Sequence, residues 1–246
     1  VRTDSYFDNS PLASSGLPSK NELELLNVWK DEIPAEVFTE TFTPPITDGS
    51  GNDRKNLLKA KEILEKEGWF VEDGKLVKDG KEFKFEFLIV SPSDEKIALA
   101  YQSNLKKLGI TMDVRTVDSS QYQERLLSYD FDMIKRYWGV SLSPGNEQQF
   151  YWGSEVGQKD GSRNYPGINS PAVDALIEKL ISATNREELT TAIHALDRVL
   201  LWGHYVVPLY HSNKDRIAYW DFFEYPDEIP LYGIVIESWW INKDKQ

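Results

Sequence analysis

Two periods of apolar spacing alternate along this chain, and the switches between them mark out its elements. Over residues 53–68, Leu57, Leu58, Ala60, Ile63 and Leu64 recur at helical spacing and form an apolar stripe, with Gly68 as the stop. Residues 69–81 read as a hairpin, because Asp73-Gly74 and Asp79-Gly80 are strong turn signals between short apolar runs. Residues 83–90 alternate at first (Phe-Lys-Phe-Glu-Phe) and then run apolar (Leu-Ile-Val), which predicts a strand with one well-buried end. A helix over 93–108 stopped by Gly109, a strand over 110–117, a helix capped by Asp118-Ser-Ser120 and running to 129, and a strand over 131–138 follow. Strand, helix, strand, helix, strand predicts an α/β layer with a partly parallel sheet.

The flanks read differently. Residues 1–52 are irregular, punctuated by Pro11, Gly16, Pro18, Pro34, Pro44, Pro45, Gly49 and Gly51. One short helix stands out at 19–29, with Ser19 as cap and Leu23, Leu25, Leu26 and Val28 as its apolar contacts. A long irregular segment of this kind wraps a neighbour or lines a site. Residues 171–183 and 186–202 predict two helices, the second with Leu189, Ile193, Leu196, Val199 and Leu200 on one side. Residues 205–211 predict a returning strand, and 218–242 form a tail carrying Trp220, Phe222, Phe223, Tyr225, Tyr232, Trp239 and Trp240.

Composition narrows the function. Aromatics make up 13% of the 246 residues, with eight Trp and twelve Tyr, which exceeds core needs and fits a ligand-gripping surface. The net charge of −12 argues against nucleic acid and anionic membrane surfaces as partners, since both call for clustered Lys and Arg. With no Cys, disulfides, thiol nucleophiles and Cys-ligated metals are excluded, in keeping with an oxidising compartment. No apolar run reaches the roughly 20 residues that span a bilayer. The opening Val1-Arg-Thr-Asp reads as the start of a mature or truncated product.

Chemistry-bearing motifs are scarce. The sequence has no G-x-S-x-G elbow, phosphate-cradling Gly-rich loop, H-E-x-x-H or G-x-G-x-x-G. His204 and His211 are seven apart and face opposite sides of an extended strand, so they do not jointly chelate a metal. Asp48, Ser50 and Asn52 faintly resemble a calcium loop, but Asp53 stands where such a loop needs Gly, and a turn leading to a helix cap reads better.

The most informative stretch is Arg136-Tyr-Trp-Gly-Val-Ser-Leu-Ser-Pro-Gly-Asn-Glu-Gln-Gln-Phe-Tyr-Trp152. It predicts a strand that breaks at Gly139, Pro144 and Gly145 into a loop of aromatics and amides with few charges. Such a mix grips a peptide-like ligand rather than cleaving bonds. Trp138 is either a stacking platform or the plug at the end of a core. Arg136 shares its strand face and is suited to a ligand carboxylate or to a structural ion pair, while Tyr137 points the other way. Asn146 and Glu147 stand on the loop, as functional groups or as an ordinary turn. Arg163, Asn164 and Tyr165 precede Pro166 in extended backbone, lining a cleft or leading to the next helix.

The order of these pieces resembles the C-terminal half of the extracytoplasmic solute-binding proteins of oligopeptide and dipeptide ABC transporters. The resemblance rests on Leu-Lys-Lys-Leu-Gly-Ile-Thr-Met-Asp-Val114, Tyr129-Asp-Phe-Asp-Met133, the Trp-Gly loop, Asn164-Tyr165, Asn169-Ser-Pro-Ala-Val-Asp-Ala-Leu-Ile177 and Val207-Pro-Leu-Tyr-His211. Ser141-Leu-Ser-Pro-Gly-Asn-Glu-Gln148 and Ser5-Tyr-Phe-Asp-Asn-Ser-Pro-Leu-Ala13 look most like the branch that takes up oligopeptides and the peptide-nucleotide antibiotic microcin C.

The resemblance implies an α/β fold: one lobe of a type II periplasmic binding protein, a mixed sheet flanked by helices. Residues 1–213 would be the ligand-binding lobe, and 214–246 the hinge return segment that packs on an absent N-terminal lobe. It implies a ligand-binding set of Arg136, Tyr137, Trp138, Ser141, Asn146, Glu147, Arg163, Asn164 and Tyr165. Several peptide binders of the family carry an Asp three residues after the loop Trp to pair with the peptide ammonium. That position is Ser141 here, which leaves the amine to another group such as Glu147, or a ligand without one. The expected function is capture of an oligopeptide, without catalysis, metal or cofactor, and delivery to a membrane permease from the periplasm or cell surface. The same clamp could instead take oligosaccharide or another small solute, and a carboxylate-dependent hydrolase is the third reading.

Overall fold

The structure, a computed structural model, describes every residue except Gln158, Ile229, Leu231, Tyr232 and Gln246. Tyr232 of the aromatic tail thus lies outside the described residues. Two compact units divide the chain: Ser5–Val206, and a smaller one made of Val1–Asp4 with Val207–Gln246.

In the larger unit, α1 (Lys20–Leu26) starts where the Ser19 hydroxyl accepts from Glu22 N, and α2 (Glu36–Thr39) is a single turn. Helix α3 (Arg54–Lys66) begins at Asp53, whose carboxylate accepts from Asn56 N at 2.9 Å. Strands β1 (Phe70–Glu72), β2 (Lys75–Lys78) and β3 (Lys81–Glu82) form an antiparallel meander. Its two turns hold Asp73-Gly74 at φ 47° and 80°, and Asp79-Gly80 at φ 51° and 73°. Positive φ at both central residues matches the strand twist and selects Asp-Gly.

A parallel sheet follows, with β4 (Lys84–Ile89) between β5 (Thr111–Thr116) and β6 (Met133–Ile134). The crossovers are α4 (Pro92–Lys106), capped by Ser91, and α5 (Ser119–Leu127), capped by Asp118. The apolar end of β4 serves both faces of the sheet. Phe87 and Ile89 pack with Ala98 and Leu105 of α4, whereas Leu88 packs with Tyr122 and Leu126 of α5. A strand covered on both faces reads as a continuous apolar run, which is why alternation ends at Leu88. Leu88 and Ile89 are almost fully buried, each contributing about 1.5–3 kcal/mol. Gly109 stops the turn after α4 at φ +79°, and a Cβ there would lie 2.8 Å from Leu76 N, so both its conformation and its surroundings demand glycine.

Beyond the sheet come α6 (Glu147–Trp152), α7 (Ser154–Gly157), α8 (Pro171–Ile181) and α9 (Arg186–Trp202). Helices α8 and α9 pack into the largest core with Leu26, Val37, Phe7 and Leu12. Helix α9 also organises the irregular N-terminal segment. Buried Asp197 accepts from Ser5 Oγ (2.8 Å), Tyr6 N (2.9 Å), Ser14 N (2.9 Å) and Ser14 Oγ (2.7 Å). The next residue, Arg198, donates to Glu22 at 2.6 Å and to the carbonyls of Ser15, Gly16 and Leu17. A segment without repetitive hydrogen bonds is thereby satisfied by two side chains of one helix.

Three sequence expectations change. The stripe on α3 is not a core face: Leu58 and Ile63 are about half exposed, and only Leu64 joins a core cluster. The strand expected at 131–138 pairs only over β6, because β4 ends at Ile89, one residue past the Leu88–Ile134 pair. The strand expected at 205–211 is reduced to a single bridge, Arg2 to Tyr210; Pro208 has no N–H to donate to a ladder.

The smaller unit joins Val1–Asp4 to Val207–Gln246 through that bridge, with Thr3 N donating to Leu209 O at 3.3 Å and His211 N to Val1 O at 3.0 Å. Strands β7 (Phe223–Glu224) and β8 (Trp240–Ile241) pair antiparallel. Tyr219, Tyr225 and Trp239 cluster with ring centroids 5.0–5.8 Å apart, while Trp220 is 73% exposed.

Candidate functional site

Where β6 leaves the sheet, the side chains of residues 136–138 still alternate. Arg136 and Trp138 both turn to Tyr165, and Tyr137 projects into solvent at 91% exposure. Lys135, one residue earlier, pairs with Asp94 at 2.5 Å.

Trp138 is the middle of a row of rings. It lies 4.8 Å from Trp152 and 6.5 Å from Tyr165, and Tyr165 in turn lies within 6.3 Å of Tyr129 and Phe131. Trp152 is buried, and Trp138 and Tyr165 are half-buried. The row thus runs from core to surface, so Trp138 is at once a core plug and a partly open ledge. Its Nε1 donates to Arg163 O at 3.4 Å. The Arg136 guanidinium sits 4.9 Å over the Tyr165 ring and donates to the Tyr165 hydroxyl at 3.1 Å. Burial pushes the Tyr122 and Tyr129 hydroxyls above their ordinary range. Both therefore stay neutral at physiological pH.

The loop after Trp138 is fixed at two points. Arg186, the first residue of α9, donates to Leu142 O at 2.5 Å, and Pro144 is buried. Ser141 is exposed, its hydroxyl accepting from Ser143 N at 3.2 Å. The second half of the expected loop is helical: after the Pro144-Gly145 corner nothing breaks the run until Gly153, and 147–152 wind into α6. Asn146 is exposed at the N-cap and makes no side-chain capping bond, so its amide is open to other partners. Glu147 turns back onto its own loop, accepting from Gly145 N at 2.9 and 3.0 Å and from Gln148 Nε2 at 3.3 Å.

Asn164 departs from its expected cleft-lining position. It is fully buried, donating to Gly153 O (3.0 Å) and Ile168 O (2.8 Å) and accepting from Ile168 N (2.9 Å). Its side chain therefore braces the loop and presents nothing to solvent. Arg163 on one side is exposed and Tyr165 on the other is half-buried. The structure thus gathers Arg136, Trp138, Arg163 and Tyr165 on one ledge, with Tyr137 beside it.

Sequence reasoning missed two supports. Gln148 is buried and accepts from Trp152 Nε1 at 2.9 Å, locking the ring under Trp138. Ser162 meets the Tyr129 hydroxyl through a short hydrogen bond. The i, i+4 spacing of Gln148 and Trp152 was the available clue, visible only once 147–152 are read as helix. Among the described residues no group of His, Asp and Glu is arranged to hold a metal ion, and no helix is long and apolar enough to cross a membrane.

The profile of the bacterial extracellular solute-binding proteins, family 5 (middle region) matches residues 28–160. The Sinorhizobium fredii protein y4wM is 49% identical over 97% of this chain and 36% of its own length. A probable peptide-binding protein, YejA, of Agrobacterium fabrum is 43% identical over 98% of this chain and 40% of its own. The chain spans about two fifths of such relatives. Among solved structures, the Bacillus subtilis oligopeptide-binding protein AppA, in complex with a nonapeptide, superimposes with a TM-score of 0.61 at 23% identity, covering 91% of this chain and 45% of that one. That likeness shows a shared mixed α/β fold, sheets flanked by helices. With its middle region matched over more than half of its residues, the chain belongs to the bacterial extracellular solute-binding proteins of family 5.

Proposed function

We propose that this chain is the ligand-binding lobe of a peptide-capturing, extracytoplasmic component of an ABC importer, a binder without chemistry. The observation that carries this reading is the half-exposed ledge of Trp138 and Tyr165 backed by buried Trp152. A rigid aromatic surface with amides and hydroxyls at its border gives contact area at little entropic cost. Ligand contacts on this reading are Arg136, Tyr137, Trp138, Ser141, Asn146, Arg163 and Tyr165, with Asn164 and Glu147 as braces. The peptide-binding name of the Agrobacterium relative supports the same assignment.

The finer assignment, to the branch that takes up oligopeptides and microcin C, draws on the Ser141–Gln148 loop and the opening Ser5–Ala13 sequence. A second lobe would complete the clamp, residues 214–246 would pack on it, and hinge closure would present the loaded form to a membrane permease. The exposed aromatics of that segment, Trp220 above all, support a packing role.

Titration calorimetry of the full-length protein with tri- to octapeptides and with oligosaccharides tests the reading. Saturable peptide binding without turnover is expected. Sugar binding in its place moves the ligand class to oligosaccharides, and turnover of either ligand ends the non-catalytic reading.

A further inference from the structure

The ledge carries charge that the protein does not neutralise. Some arginines are satisfied from within: Arg115 and Arg125 face Glu86, Arg125 also Asp130, and Arg198 reaches Glu22. Among the described residues, neither Arg136 nor Arg163 forms an ion pair with a carboxylate. Acids of the same region have other partners. Asp94 is held by Lys135, Glu147 by the Gly145 amide, and Asp160 acts on Tyr129 at the other end of the ring row.

Both arginines are also pre-positioned. Arg136 lies over the Tyr165 ring, bonded to its hydroxyl and set against the hydroxyl of Tyr122. The backbone of Arg163 is fixed twice: its N–H donates to Phe150 O at 3.2 Å, and its carbonyl accepts from Trp138 Nε1. A guanidinium has five N–H donors, so these contacts leave most of each fork open. In a chain of net charge −12, Arg136, over the Tyr165 ring, and Arg163, whose carbonyl meets Trp138, stand at one aromatic platform without an ion-paired carboxylate among the described residues. At physiological salt the general negative charge is screened beyond about 8 Å, so it does not cancel the attraction of a cation in direct contact with a ligand.

We propose that Arg136 and Arg163 form a carboxylate clamp on the ledge, and that this protein selects acidic peptides, ones bearing side-chain carboxylates as well as the terminal one. The inference rests on the ledge being the peptide contact proposed above. Fork geometry recognises carboxylates bidentately, and its cost of ordering is already met at Arg136.

The test is titration calorimetry of the full-length protein with tri-glutamate, tri-alanine and tri-lysine at 0.15 M salt, homopeptides making binding register irrelevant. Tri-glutamate is expected to bind about tenfold tighter than tri-lysine. In R136Q/R163Q that ratio should fall to within about twofold, with tri-glutamate losing more affinity than tri-alanine. The charge-keeping R136K/R163K should retain part of the preference and melt at the wild-type temperature. Equal binding of the three peptides by wild type, or a preference that survives R136Q/R163Q, overturns the clamp and leaves the peptide reading standing. No binding of any of the three overturns the peptide reading itself, and the clamp with it.

Discussion

Asn164 and Ile168 are bonded in both directions: Oδ1 accepts from Ile168 N at 2.9 Å and Nδ2 donates to Ile168 O at 2.8 Å. A side chain thus imitates a strand partner and closes the 164–168 turn just behind the aromatic ledge. Asn164→Ala strips three buried polar groups of their partner, counting Gly153 O. We expect a loss of about 2–4 kcal/mol in chemical denaturation, from about 1–3 kcal/mol per orphaned group partly relieved by relaxation. Any fall in ligand affinity should track the loss of folded protein.

Trp138 and Trp152 should separate binding from stability. Trp138→Ala removes a half-exposed ring and is expected to weaken peptide binding by about 1–3 kcal/mol in calorimetry, with a smaller effect on unfolding. Trp152→Ala opens a cavity in the core and frees the buried Gln148 amide, so about 3–5 kcal/mol of stability should go. Equal losses of stability would place Trp138 in the core and take it off the ledge.

Acid should weaken the α9 hub. Burial pushes the Glu22 carboxyl up, but hydrogen bonds from His194 and Arg198 outweigh it and hold the group down at about 2, against 4.5 when unperturbed. A lowered folded-state pKa means that its stabilisation is complete above about 4.5 and disappears as pH falls towards about 2. Denaturation midpoints recorded between those limits should fall with acid in the wild type and less steeply in E22Q. Parallel slopes would remove Glu22 from the account.

The Arg186–Leu142 hydrogen bond should control loop order rather than global stability. It is exposed, so Arg186→Ala is expected to cost less than about 1 kcal/mol in unfolding. Amide exchange over residues 139–145 should nevertheless accelerate, because one of the loop's two anchors is gone. Unchanged exchange there would show that buried Pro144 suffices to hold it.

Local physical chemistry made much of the fold legible. Caps at Ser19, Asp53 and Asp118, the Asp-Gly turns and the apolar run Leu88-Ile89 act over a few residues, so the chain alone dictates them. The α/β order and the aromatic ledge around Trp138 were readable for the same reason.

What sequence could not supply were pairings across long separations. Whether an apolar stripe is covered, as on α8 and α9, or open, as at Leu58 and Ile63 of α3, depends on which elements arrive opposite it. The strand through Trp138 was cut short because its neighbour β4 ended first. Asn164 and Arg163 are adjacent in sequence, yet one is sealed against Ile168 and the other faces solvent. Asp197 gathers Ser5 and Ser14 from more than 180 residues away. A polar side chain carries the same chemistry in either setting. Only the burial imposed by tertiary packing decides whether its hydrogen bonds hold the protein together or remain for a ligand.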